Sequence, residues 1–257
     1  MTPDEAYANS AYIPDGESYY ARWEAEAAAF RARTPHELGV PYGDRGRQTY
    51  DLFPSETGRF GTVIFVHGGS WMAGSSGMFS HLAKGAVQAG YACALVNYPL
   101  CPEARIADIT SDVARAIGAI ADRVAGPLYL VGHSAGGHLV ARMGCVDRVA
   151  DWSTRVRRIM AISPLSDLAP LMETTMNATL GIDAAEARAE SPIHHARQDL
   201  PVTAWVGGAE RPAFLDQAQW LADAWTCDHH IDGDRHHFDV IEGLENPDSA
   251  IMRALLS

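Results

Sequence analysis

Short apolar runs alternate with helix-like periodicity along most of this chain of 257 residues. Thr62-Val63-Ile64-Phe65-Val66 is apolar and β-branched, as expected of a strand covered on both faces of a parallel sheet. Residues 92–96, 128–131, 156–162 and 202–206 repeat that character. Between them the spacing changes from continuous to helical. Residues 80–88, with Gly90 as the stop, predict one helix, and residues 107–124 another, with Ile109, Val113, Ile117, Ile120 and Val124 on one stripe. Residues 212–225 and 250–255 predict two more. Residues 48–53 alternate as a strand that ends at Pro54, and a short strand falls near 226–231. Strands alternating with helices in this way imply an α/β fold with a mostly parallel central sheet and helices on both faces.

Two stretches depart from the alternation. Residues 1–34 are rich in Ala, Glu and Arg, and residues 17–33, without proline or glycine, predict a helix. Tyr12, Tyr19, Tyr20, Trp23 and Phe30 make this arm aromatic. Two readings stand: the arm packs on the main body, or some of its rings line a pocket mouth. From 163 to 200 the alternation lapses into proline, glycine and short helical pieces. Insertions above the carboxyl ends of strands commonly cover a site, so this stretch reads as a small cap. With no linker, internal repeat or low-complexity tract, residues 1–257 read as one domain with an arm over 1–40 and the cap-like insertion over 163–200.

Composition narrows the partners. A net charge of −12 opposes nucleic acid, an anionic membrane surface and polyanionic substrates. No apolar run approaches the roughly 18 residues of a membrane span, and the N-terminus lacks a signal-peptide pattern. Cys93, Cys101, Cys145 and Cys227 show no CxxC spacing. The expectation is a cytoplasmic protein with reduced thiols and no cofactor. Oligomeric state, a homodimer included, stays open, because interface and core faces look alike in sequence.

The chemistry centres on residues 128–144. Leu128-Tyr129-Leu130-Val131 leads directly into Gly132-His133-Ser134-Ala135-Gly136, and a proline-free helical pattern follows. A strand turning abruptly into a helix is crowded, and needs small residues two before and two after the serine at its bend. Three fixed positions of this kind recur by chance in roughly one chain in ten; the flanking strand and helix are what lift the pattern above chance. Ser134 then stands clear of its backbone.

A serine hydroxyl needs a base and an orienting carboxylate, which in an open parallel sheet must follow later strands in the order Ser, acid, His. Glu210 lies in Gly207-Gly208-Ala209-Glu210-Arg211-Pro212, on the turn after residues 202–206, with Asp216 as the fallback. His236 and His237 follow the last strand, and local sequence does not separate them. A developing oxyanion needs fixed donors. His67-Gly68-Gly69-Ser70-Trp71 follows an earlier buried strand, so the backbone amides of Gly69, Ser70 and Ala135 are the candidates, with Trp71 beside the acyl pocket. His229, His230, His236 and His237 with nearby aspartates lack zincin spacing, and no metal site is expected there.

With these residues in place the chain resembles the α/β-hydrolase fold, and within it the esterase and kynurenine formamidase group with an His-Gly-Gly-x-Trp oxyanion motif. The likeness rests on residues 67–71, 132–136, 207–214 and 237–242, with Tyr42-Gly43 before Gln48-Thr49-Tyr50-Asp51. It implies Ser134 as nucleophile, His237 as base and Glu210 as acid, where formamidases of the group usually carry Asp. The expectation is therefore a serine hydrolase cleaving a small ester or N-formyl amide through an acyl-enzyme. The alternatives are a lipase- or thioesterase-type acyl hydrolase and a non-catalytic protein of this fold that binds a small ligand.

Overall fold

The structure, a computed structural model, describes residues 1–55 and 60–257. It opens with two helices, α1 (Pro3–Tyr7) and α2 (Ser18–Arg31), followed by β1 (Glu37–Pro41), β2 (Thr49–Phe53) and β3 (Thr62–Val66). Then come α3 (Ala83–Gln88), β4 (Ala92–Val96), α4 (Ile106–Arg123), β5 (Leu128–His133), α5 (Ala135–Met143) and β6 (Val156–Ile162). After α6 (Asn177–Leu180) and α7 (Ala184–Glu190), the chain ends with β7 (Val202–Gly207), α8 (Pro212–Trp225), β8 (Asp228–Asp232) and α9 (Ala250–Leu256).

The strands form one sheet in the order β1-β2-β4-β3-β5-β6-β7-β8. From β4 to β8 every pairing is parallel, whereas β2 pairs antiparallel with both β1 and β4. The sheet is thus mostly parallel with an antiparallel edge. Alternate residues of each strand divide the core in two. Ile64, Val66, Leu130, Ala161 and Ala204 face a cluster that holds Val113 and Ile117 of α4, Leu139 of α5 and Leu221 of α8. Val63, Phe65, Val131, Met160 and Trp205 face the other, with Trp23 of α2, Ala83 of α3 and Ile251 of α9. Ile109, Val113, Ile117 and Ile120 of α4 are all fully buried; each such side chain contributes about 1.5–3 kcal/mol of burial. No helix of the described residues is long and apolar enough to cross a membrane.

Two local departures have simple causes. β1 is short, largely exposed and interrupted by Gly39, so it shows no periodicity. The helix expected over 80–88 is two pieces: a 3₁₀ helix over Ser76–Leu82, capped by the Ser75 hydroxyl on the Met78 amide, and then α3.

Residues 163–200 are held to the body by a buried charge cluster. Glu190, 2% exposed, accepts from Arg142 Nε (3.3 Å), Arg148 Nη2 (3.1 Å) and Thr110 Oγ1 (2.7 Å). A carboxylate so deeply buried is tolerable only when paired in this way.

Candidate active site

The bend after β5 is tight. Ser134 has φ 56° and ψ −119°, a conformation that a non-glycine residue adopts only when its surroundings enforce it. The packing shows how. A Cβ on Gly132 would lie 2.1 Å from the Gly136 oxygen, and one on Gly136 would lie 2.0 Å from the Val66 oxygen. Both flanking positions must be glycine, and Ser134 sits at the N-terminal end of α5.

The turn after β3 approaches this bend closely. A Cβ on Gly68 would meet the His133 oxygen at 2.9 Å and Ser134 Cβ at 3.0 Å. Gly69, Ser70 and Trp71 all have positive φ (107°, 52° and 57°), so the main chain here is unusually wound. Among the described residues, the amides of Gly69, Ser70 and Ala135 donate to no protein acceptor. Below the turn, His67 is fully buried, stacked on Tyr98 at 4.3 Å, and its carbonyl accepts from Tyr98 Oη at 2.8 Å. Burial pushes its imidazole down to about 4, so it stays neutral.

On the opposite side, the turn after β8 brings His237 to Glu210. Nδ1 donates to Glu210 Oε2 at 2.6 Å, and both side chains are buried. Glu210 Oε1 accepts from Ser163 Oγ at 2.5 Å and from the Gly207 amide at 2.8 Å. A carboxylate with this set of donors is fixed in place, and its bond to Nδ1 fixes the imidazole tautomer, leaving the lone pair on Nε2. Phe214 packs 4.2 Å from the His237 ring.

Ser134, His237, Gly69 and Ser70 share one cavity of about 320 Å³ with Gly68, Met72, His133 and Phe238. Tyr7, Asn9, Ser10, Tyr20 and Trp23 supply the wall contributed by the arm. Trp71 does not reach the cavity. It is fully buried in the core, edge-on to His138 at 5.2 Å, and its neighbours Ser70 and Met72 take the wall positions expected of it. His236, the alternative base, turns away: its Nε2 pairs with Tyr19 Oη at 3.1 Å and its Nδ1 accepts from the Phe238 and Asp239 amides. Asp216 is not in this assembly, since the three bonds to Glu210 occupy the position next to His237. His230 stacks on Trp205 at 3.7 Å, so the histidines of this region serve separate partners.

Comparison with known proteins places this geometry. Residues 63–229 match the profile of a family described as alpha/beta hydrolase fold. The chain belongs to that family. The matched span contains Ser134 and Glu210, and His237 lies just beyond its end. The chain is 26% identical to a kynurenine formamidase of Danio rerio over 242 residues, 88% of this chain and 83% of the relative. A crystal structure from Silicibacter sp., of a protein provisionally named a thioesterase, is 48% identical, covers 100% of both chains and superposes with a TM-score of 0.97. An esterase of Pyrobaculum calidifontis, 19% identical over 98% of this chain and 93% of its own, shares the fold with a TM-score of 0.69.

Two groups of this α/β-hydrolase site were not singled out in sequence. Ser163, with φ 46°, immediately follows β6 and donates to Glu210. His133 is buried beside the His237 ring (4.6 Å) and its Nε2 donates to the His237 carbonyl at 2.8 Å. Burial, and then the neighbouring His237, keep its pKa well below the usual imidazole value, so it is a neutral donor. His133 carried a signal in the sequence, its place immediately before Ser134; Ser163 carried none, being a serine at the end of a strand.

Proposed function

We propose that this chain is a serine hydrolase that cleaves a small carboxylic ester or N-formyl amide through an acyl-enzyme. The observation that carries this reading is His237, held by a 2.6 Å bond from Nδ1 to the buried Glu210 Oε2, lining the same cavity as Ser134. Ser134 attacks the carbonyl carbon while His237 Nε2 takes its proton. The negative charge on the carbonyl oxygen falls to the amides of Gly69, Ser70 and Ala135. His237 then returns the proton to the leaving group. Water, activated by the same imidazole, releases the acyl group. Glu210 stabilises the imidazolium and does not itself carry the proton.

The kynurenine formamidase relative, aligned over most of both chains, supports the formyl amide. A thioester is the second reading, favoured by the name of the full-length Silicibacter neighbour. Comparing kcat/KM on N-formylkynurenine, short aryl esters and short acyl thioesters decides among them. A formamidase shows a preference for the formyl amide of about tenfold or more. Covalent labelling by a fluorophosphonate probe and a p-nitrophenol burst from the acetate ester, both lost in Ser134→Ala, test the mechanism itself. A wild type that shows neither overturns the serine-hydrolase reading and leaves the ligand-binding alternative.

A further inference from the structure

The cavity beside Ser134 is closed by residues that the hydrolase core does not supply. The family match begins at residue 63, yet Tyr7, Asn9, Ser10, Tyr20 and Trp23 form part of the wall. Trp23 is the decisive ring. Its centroid lies 5.2 Å from Phe79, in the 3₁₀ helix that follows the oxyanion turn, and 5.2 Å from Phe238, the residue after His237. The indole therefore bridges the two sides of the site. Tyr20 backs it, 5.8 Å from both Trp23 and Phe238.

The arm is held by specific bonds as well as by burial. Tyr19 Oη meets His236 Nε2 at 3.1 Å, Arg22 Nη2 donates to Glu242 Oε1 at 2.5 Å, and Gln217 Nε2 donates to Tyr7 Oη at 3.1 Å. Asp4 accepts from both the amide and the hydroxyl of Thr175 (2.7 and 2.9 Å), in the insertion after β6. Trp23 is 3% exposed. A ring packed in this way on an arm so anchored presents a fixed wall rather than a yielding one.

From this geometry we infer that the N-terminal arm, through Trp23 with Tyr20 behind it, sets the size of the group accepted beside Ser134. The inference rests on the serine-hydrolase reading and deepens it: the substrate is limited by an element outside the matched core. A rigid aromatic wall admits short acyl and alcohol groups and excludes longer ones, each surplus methylene being worth about tenfold or more in kcat/KM.

The test uses the full chain and two ester series: p-nitrophenyl esters from acetate to octanoate, and acetates of alcohols of increasing length. Trp23→Ala is compared with Tyr20→Ala, at a half-exposed ring whose loss spares the core, and with Trp23→Phe; thermal unfolding establishes that each is folded. The expected result is that wild-type kcat/KM falls steeply with length in at least one series. In Trp23→Ala the kcat/KM of the longer members of that series rises by about tenfold relative to the shortest. Tyr20→Ala shows a smaller shift in the same direction, and Trp23→Phe an intermediate one. If the folded variants keep the wild-type length profile in both series while the wild type hydrolyses acetate and is labelled by the fluorophosphonate, the inference is overturned and the serine-hydrolase reading stands. An unlabelled, inert wild type overturns that reading, and the inference with it.

Discussion

Replacing Glu210 by glutamine is the sharpest perturbation of the proposed chemistry, because it removes a charge with almost no change in shape. The carboxylate accepts from His237 Nδ1, Ser163 Oγ and the Gly207 amide. An amide side chain has one acceptor oxygen and one donor group, so it cannot serve all three. Of the three partners only the Gly207 amide is unable to change role; the Ser163 hydroxyl can rotate, and an imidazole can switch tautomer. Leaving the buried Gly207 N–H facing an NH₂ costs about 1–3 kcal/mol, so the glutamine oxygen settles at the Oε1 position. Its NH₂ then faces Nδ1, which must accept, and the proton moves to Nε2. The nitrogen assigned to take the Ser134 proton no longer has a lone pair. The expected loss in kcat is about 10⁴-fold, or some 5 kcal/mol of transition-state stabilisation, while the unfolding midpoint changes little. Single-turnover hydrolysis of p-nitrophenyl acetate reads acylation directly. Glu210→Asp, which keeps the charge but draws it back by one carbon, recovers part of the rate. A glutamine variant that retains more than about a tenth of the wild-type kcat refutes the reasoning.

Other consequences are equally concrete. His237→Ala abolishes acylation, whereas His236→Ala, which loses only the Tyr19 bond and the turn contacts, keeps turnover within about tenfold; reversal of that order in the p-nitrophenol burst removes His237 from its role. Gly136→Ala forces a Cβ to within 2.0 Å of the Val66 oxygen. It destabilises by about 3 kcal/mol or more, lowering the calorimetric Tm by about 6–12 °C; an unchanged Tm contradicts the packing at the bend. His67, His81 and His138 are held near 4 in the folded state, chiefly by burial, against 6.5 unfolded. The unfolded chain therefore binds protons first. Their contribution is complete above about pH 6.5 and is lost as pH falls towards 4, by about 3 kcal/mol for each group. Urea unfolding should show stability dropping steeply across that window, and His138→Gln should flatten the drop.

The buried strands were legible because each is apolar on both faces, a pattern few other elements produce. β1 was not, since Glu37–Pro41 is an exposed edge held mainly by its pairing with β2. Ser134 was readable from the glycines its bend requires, and the structure accounts for each of them by a backbone collision. The choice between His236 and His237 was not readable from spacing alone, because it depends on which ring a turn directs at Glu210. Trp71 shows the limit of motif reasoning. Its place in His-Gly-Gly-x-Trp suggested a pocket wall, but the side chain is fully buried in the core, edge-on to His138. Whether the aromatic arm packs on the body or lines the pocket proves to be a false choice, since Trp23 does both.

The arm also couples stretches of chain that lie far apart in sequence. Tyr7, Tyr19 and Arg22 bind Gln217, His236 and Glu242, between 210 and 220 residues further along. On its other side Trp23 packs on Phe79, and Arg31 Nη1 donates to the Gly77 carbonyl and the Ser80 hydroxyl. One helix thus spans the segment after β3 and the turn after β8. Opening the cavity along this wall requires both sets of contacts to be released together, which makes the wall a cooperative unit of the fold.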